Sequence, residues 1–146
     1  MPATLEKALQ THLAADAGVS AITSSIWFGN VAPQRETLPD ILFRLADGPI
    51  DETFDGNGED LQFLFYEFEA RSWKPTQQIE LAEAVRVALR SIRTGATIVT
   101  TDGNVTVEQV SLFGYADDDS EFEDGGKART LYSRTVLANI GHRIST

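Results

Sequence analysis

The stretch that decides the fold runs from Leu61 to Arg71 and has the sequence LQFLFYEFEAR. Residue types alternate along it, and this is typical of a β-strand, because successive side chains point to opposite faces of a sheet. One face is apolar along its whole length and carries Leu64, Tyr66, Phe68 and Ala70. The other face is apolar only in its first half, at Leu61, Phe63 and Phe65. We therefore expect one face in the core and half of the second covered by a loop or another subunit.

The flanking sequence predicts two long helices and further strands. Apolar residues recur at helical spacing over 4–15 and again over 76–93, and 19–22 adds one turn. Further strands are predicted over 26–28, 41–45, 98–101, 105–113 and 129–140, with turn signals at 55–58 and 102–104. Because only one helix lies between strands in mid-chain, the order predicts an α+β fold: a mixed, mainly antiparallel β-sheet with two α-helices packed on one face.

The length and composition are those of one globular domain spanning 1–146. The chain has 42% hydrophobic and 23% charged residues, and it lacks cysteine, which excludes disulfides, thiolate metal ligands and cysteine nucleophiles. No apolar run approaches the roughly 20 residues that a membrane-spanning helix needs, so no membrane association is expected. No signal peptide is visible at the start of the chain.

Acidic residues are concentrated in two places. The net charge is −10, and 12 of the 22 acids lie in 47–60 and 117–124, which contain no base. The rest of the chain has 10 acids and 12 bases. Both stretches are adjacent to or interrupted by glycine, so we predict acidic loops at about 47–60 and 116–127 on a near-neutral framework. The acidic balance argues against nonspecific binding to nucleic-acid phosphates.

Candidate catalytic and metal-binding residues are few. His12 lies on the apolar stripe of the first helix and is predicted to be packed, whereas His142 is predicted to be a solvated residue of a loose tail. The sequence Asp55-Gly56-Asn57-Gly58-Glu59 begins like a calcium loop, but position 6 is Asp60 instead of glycine and position 12 is Tyr66. Nucleophile-elbow, Walker and dinucleotide-binding patterns are absent from the sequence. We therefore predict no catalytic residue, no metal, no cofactor and no enzyme activity.

Four segments together resemble a known family. They are IWFGNVAPQ at 26–34, LPDILF at 38–43, the aromatic Trp73, and LAEAVRVAL at 81–89. In this order and spacing the chain resembles, over about residues 4–140, the tail-terminator or tail-completion proteins of long-tailed bacteriophages and phage-derived particles. The chain departs from the family pattern at Asp40, where an aromatic residue is usual, and in the length of its second acidic stretch.

The resemblance implies a structural virion protein without catalysis. Such proteins form rings, typically hexameric, that cap the head-proximal end of the tail tube and end its polymerisation. The resemblance implies that the protein forms homo-oligomers and has a tail-tube protein and a head-connector or head-completion protein as partners. It also implies a place in the tail or neck of a virion that is assembled in the host cytoplasm. DNA would pass through the ring without tight binding.

Two groups of residues are candidates for this function. Because acids that line a lumen repel phosphates, the acidic stretches supply the candidates for lumen or partner contact. These are Asp51, Glu52, Asp55, Glu59, Asp60, Asp117, Asp118, Asp119, Glu121, Glu123 and Asp124. The candidates for the subunit interface are Leu61, Phe63 and Phe65.

Three other functions fit parts of the sequence. One is a different neck component, such as a head-completion protein. Another is an acidic DNA-mimic inhibitor that occupies a basic site and is sensitive to salt. The third, an enzyme with a carboxylate site, requires buried acids, whereas the glycine-rich context predicts exposed ones. A ring of about six copies in solution favours the terminator.

Overall fold

The computed structural model describes residues 4–29, 38–54, 60–124 and 126–145. Within them lie the helices α1 (Leu5–Ala15), α2 (Ala17–Ser20) and α3 (Pro75–Arg90) and the strands β1 (Ile26–Phe28), β2 (Asp40–Phe54), β3 (Asp60–Ser72), β4 (Ala96–Thr100), β5 (Gly103–Asp124) and β6 (Lys127–Ser145). The strands form one sheet in the order β1-β2-β3-β6-β5-β4. Only β1 and β2 are parallel, and the other neighbours are antiparallel. The predicted mixed, mainly antiparallel sheet is confirmed.

One face of the sheet packs with the helices into a single hydrophobic cluster. In β3, Tyr66, Phe68 and Ala70 are buried and Leu64 packs against them, as the alternation predicts. The ring of Phe43 on β2 stacks on that of Phe68, with centroids 5.2 Å apart. The buried helix side chains of the same cluster include Leu5, Leu9, Leu13, Leu81, Val85 and Leu89. The helical spacing of these side chains gives α1 and α3 an apolar stripe, and each helix is stable only when its stripe is covered.

Local sequence explains where the helices begin. The hydroxyl of Thr4 accepts a hydrogen bond from the Lys7 N–H at 3.2 Å and caps α1. Pro75 occupies the first turn of α3, where its missing N–H costs no intrahelical hydrogen bond. The helix ends at Arg90, three residues before the predicted end at Arg93.

The prediction of two acidic loops is wrong for the described residues, because most of both stretches lies in paired strands. Residues 47–54 continue β2 and pair with β3, while residues 116–124 continue β5 and pair with β6. The remaining parts, 55–59 and 125, lie outside the described residues. Asp and Glu have low strand propensity, but cross-strand pairing outweighs such local preferences. We call 47–54 with 60–65 the β2–β3 arm, and 116–124 with 127–135 the β5–β6 arm.

The predicted loose tail is also corrected. Strand β6 extends to Ser145, and His142, predicted to be solvated, is only 3% exposed. Its strand partner on β5 is the buried Val107. Burial lowers the pKa of His142, although the nearby carboxylate of Glu6 acts in the opposite direction. The hydrophobic pattern of β6 weakens after Ile140, so only the strand pairing reveals this extension.

Burial of His142 makes stability depend on pH. Burial disfavours protonation of this imidazole in the folded protein, whereas the unfolded chain protonates it near its ordinary pKa of about 6.5. Stability is therefore full above that value and is lost as the pH falls through it. We expect the melting temperature to fall between about pH 8 and about pH 5.5, and His142→Gln to remove most of this fall. The native protein is the reference, and an equal fall in the native protein and in His142→Gln would contradict this role of His142.

Candidate functional site: the open face, edges and arms of the sheet

The face of the sheet turned away from the hydrophobic cluster, here called the open face, carries the aromatic candidates of β3. Phe63 and Phe65 are half-buried. The Phe65 ring lies 5.3 Å from that of Phe113 on β5, and Phe113 remains 47% exposed. The Phe63 ring lies over Gly141 of β6, so close that a Cβ there would come within 2.6 Å of it. Neighbouring strands thus cover part of the predicted second apolar face, and Phe113 extends it to the edge of β5.

Beside these rings, β2 and β3 are joined by ion pairs that sequence reasoning missed. The Arg71 guanidinium donates two hydrogen bonds to Asp40, from Nε at 2.8 Å and from Nη2 at 2.6 Å. Arg44 pairs with Glu67 at 3.1 Å and with Glu69 at 3.7 Å. Asp40, where the chain departs from the family pattern, therefore has a structural role in an ion pair with Arg71. Only the strand register, Asp40 opposite Arg71, reveals it.

The acidic candidates lie at opposite ends of the sheet. Asp51 and Glu52 lie in β2, and Asp60 begins β3. Asp55 and Glu59 fall outside the described residues. The other candidates, Asp117, Asp118, Asp119, Glu121, Glu123 and Asp124, lie in β5. Because β3 pairs with β6 from Gln62 opposite His142 to Ser72 opposite Tyr132, the β2–β3 arm lies at one end of that pairing and the β5–β6 arm at the other. The structure does not bring the two acidic groups together.

Part of the β5–β6 arm is tied to the rest of the fold. Arg134 donates two hydrogen bonds to Asp117, at 2.6 and 2.8 Å, and these lower the pKa of that carboxyl. The same guanidinium lies 4.9 Å from the centre of the Tyr115 ring. The Tyr115 hydroxyl donates to Glu83 of α3, whose pKa is lowered to about 2 by Arg86 first and by Tyr115 second. Asp117 therefore has a structural partner.

Three further acids of that arm, Asp118, Asp119 and Glu121, are exposed. The Asp118 carboxylate accepts a hydrogen bond from the backbone N–H of Asp119, its neighbour in the chain. These three carboxylates therefore present negative charge to whatever passes or binds at this end of the sheet.

A groove lies between the end of α3 and the outer edge of β5. Strand β4 pairs with β5 only from Gly103 to Val107, so the rest of that edge has no strand partner among the described residues. The residues that line the groove are Arg90, Ile92, Arg93, Thr94, Gln109, Val110 and Leu112. Arg90 and Arg93 are exposed and make no hydrogen bond or ion pair with any described residue. The position of Arg90 and Arg93 beside an open strand edge depends on where β4 ends, so the sequence pattern does not reveal it.

These features supply unpaired strand edges, an apolar patch and separated charges, which are the elements of an assembly surface. The described part of the chain contains no group of three or more His, Cys, Asp or Glu side chains that could hold a metal ion. No helix in it is long and apolar enough to cross a membrane.

Known proteins resemble this chain in structure and not in sequence. No family model and no curated protein sequence matches it. A chain of the solved structure "Virion of native gene transfer agent (GTA) particle" matches with a TM-score of 0.58 and 17% sequence identity. The match covers 97% of this chain and 95% of that chain. At this identity the match shows a shared fold along almost the whole length of both chains.

Proposed function

We propose that this protein is a structural virion protein that forms a ring at the head-proximal end of a phage-like tail tube. The ring ends tube polymerisation and joins the tail to the head connector. The observation that carries the proposal is the fold shared end to end with a chain of a gene transfer agent virion. The resemblance of four sequence segments to tail terminators supports the finer assignment.

Two edges of the sheet have stretches without a strand partner among the described residues, and these support a ring. Strand β1 pairs with β2 only as far as Phe43, and β4 pairs with β5 only as far as Val107. The free parts of β2 and β5 therefore lie on opposite sides of the sheet. Two different surfaces on opposite sides of a subunit join copies head to tail, and such contacts close into a ring when the rotation permits. The interface candidates Leu61, Phe63 and Phe65 lie on the β2–β3 arm beside one of these edges.

The separation of the acidic groups disfavours the DNA-mimic alternative. A mimic needs its acids on one surface that fits one basic site, whereas the two arms lie at opposite ends of the pairing between β3 and β6. A head-completion protein shares the ring and the neck position, so it is distinguished by its effect on the tube and not by its fold.

The exposed acids of the β5–β6 arm are assigned to the ring opening, where they keep DNA from binding. We expect Asp118→Asn/Asp119→Asn/Glu121→Gln to leave assembly unchanged and to alter stability by less than about 0.5 kcal/mol, because these are exposed side chains. The variant should bind duplex DNA more tightly than the native protein at low salt, since three repelling charges are removed. Fluorescence anisotropy with labelled duplex measures this. Loss of the ring would instead make this arm an assembly element and contradict the assignment.

Mass measurement in solution tests the ring directly. Native mass spectrometry and size-exclusion chromatography with light scattering are expected to show a closed assembly of about six copies. The control is the same measurement with the tail-tube protein of the same particle present, since a partner can stabilise a weak ring. A protein that stays monomeric at all concentrations, with and without tube protein, contradicts the proposal.

A further inference from the structure

We propose that neighbouring copies join by docking the β2–β3 arm of one copy into the groove between α3 and the free edge of β5 of the next, with Arg90 and Arg93 facing the acids of the arm. This rests on the proposed ring and specifies its subunit contact. The occupant is a second copy of this chain.

Part of the outer edge of β5 has no strand partner among the described residues. An unpaired strand edge exposes N–H and C=O groups that readily pair with another strand, and folded proteins usually cover or blunt it. In β5 the regular segment from Gln109 to Phe113 lies between two bulges, and no described strand covers its outer side. Leu112 in the groove and Phe113 beside it give this edge apolar contacts as well. The segment therefore has room and pairing capacity for one added strand.

Two arginines, Arg90 and Arg93, line the groove. Of the arginines on α3, Arg86 is already held by Glu83, through hydrogen bonds of 2.8 and 3.0 Å. Arg90, one turn further on, helps to lower the pKa of Glu83 through its charge, but neither Arg90 nor Arg93, just beyond the helix, makes a hydrogen bond or ion pair with a described residue. Two unpaired guanidinium groups on one wall of a groove favour an acidic occupant, because arginine forms strong, oriented hydrogen bonds with carboxylates.

The β2–β3 arm matches the groove in both charge and backbone. Its strand β2 carries Asp47, Asp51 and Glu52 and lacks a described strand partner on its outer side beyond Phe43. The three antiparallel pairings from β2 through β3 and β6 to β5 make β2 and β5 run in opposite directions. If copies are related by rotation about an axis along the strands, β2 of one copy meets β5 of the next in antiparallel orientation.

The β5–β6 arm fits the groove less well as an occupant. Its first acid, Asp117, is already bound by Arg134 of its own chain. Its strand β5 belongs to the same edge that forms the groove, so docking it there joins identical edges and pairs copies without forming a head-to-tail ring.

Charge reversal tests the contact. Arg90→Glu/Arg93→Glu is expected to raise the subunit concentration needed for ring formation by at least about tenfold, because like charges then face each other. The matched control Lys7→Glu/Lys74→Glu makes the same change in net charge at exposed lysines outside the groove and should assemble normally. Adding Asp51→Arg/Glu52→Arg to the groove variant should restore the ring.

Cysteine cross-linking adds a second readout, since the native chain has no cysteine. Thr94→Cys beside the groove and Glu52→Cys on the arm, mixed as two separate single variants, should form a disulfide-linked dimer. Lys74→Cys replaces Thr94→Cys as the control and should form none. Normal assembly of Arg90→Glu/Arg93→Glu, or rescue by reversing Asp118 and Asp119 instead of the β2 acids, overturns this docking and leaves the ring intact. Absence of any ring in the native protein contradicts the proposed function itself.

Discussion

Replacing Arg71 with methionine is expected to lower the free energy of unfolding by about 3–5 kcal/mol, because it leaves a buried carboxylate without its guanidinium partner. The Asp40 side chain is 0% exposed and that of Arg71 is 12% exposed. Their two short hydrogen bonds fix the start of β2 against the end of β3. Urea denaturation followed by circular dichroism measures the change.

The neighbouring ion pair provides the control for this prediction. Arg44 and Glu67 lie on the same two strands, but each side chain is 33% exposed. Arg44→Met should therefore cost less than about 1 kcal/mol, as exposed ion pairs usually do. The double variant Asp40→Asn/Arg71→Met should be less damaging than Arg71→Met alone, since it also removes the buried charge that has lost its guanidinium. Equal losses for Arg71→Met and Arg44→Met contradict the assignment of Asp40 and Arg71 as a buried pair.

Phe113→Asp is expected to raise the subunit concentration needed for ring formation by about 30-fold or more. Phe113 lies on the free edge of β5, its ring packs beside Phe65 on the open face, and the proposed contact buries the part that is exposed. Aromatic residues at the centre of an interface commonly contribute about 2 kcal/mol or more, and a carboxylate there has to be desolvated as well. Analytical ultracentrifugation over a concentration series measures the shift.

The conservative substitution separates an interface effect from a folding effect. Phe113→Leu keeps an apolar side chain against Phe65, so it should retain the ring and nearly the native melting temperature. Phe113→Asp should also stay folded, because nearly half of the native side chain already faces solvent. A Phe113→Asp protein that folds and forms rings at the native concentration removes this residue from the contact.

The elements with a clear hydrophobic period were predictable from the sequence. The alternation around Tyr66 and Phe68 identified the central strand and its core face, because burial on one side imposes a period of two. The apolar stripes of α1 and α3 were predictable because burial of one side of a helix imposes a period of about 3.6 residues. The mixed, mainly antiparallel sheet followed from the order of these elements.

The arms and the tail were not predictable, since cross-strand pairing holds them and hydrophobic patterning does not. Aspartates such as Asp51 and Asp118 have a low intrinsic propensity for strands and are typical of loops. They nevertheless lie in strands here, because pairing with the neighbouring strand stabilises them. His142 follows the last strongly apolar residues, and only its pairing with Val107 shows that the strand continues. The groove at Arg90 and Arg93 depends on the end of β4, which no local pattern specifies.

Imaging of the tail tube tests the central claim most directly. The tail-tube protein of the same particle is polymerised with and without this protein, and the tubes are examined by negative-stain electron microscopy. A tail terminator is predicted to shorten the tubes and to form a ring on one end of each. Rings on tubes that keep growing indicate another neck component, and tubes of unchanged length without rings contradict the account.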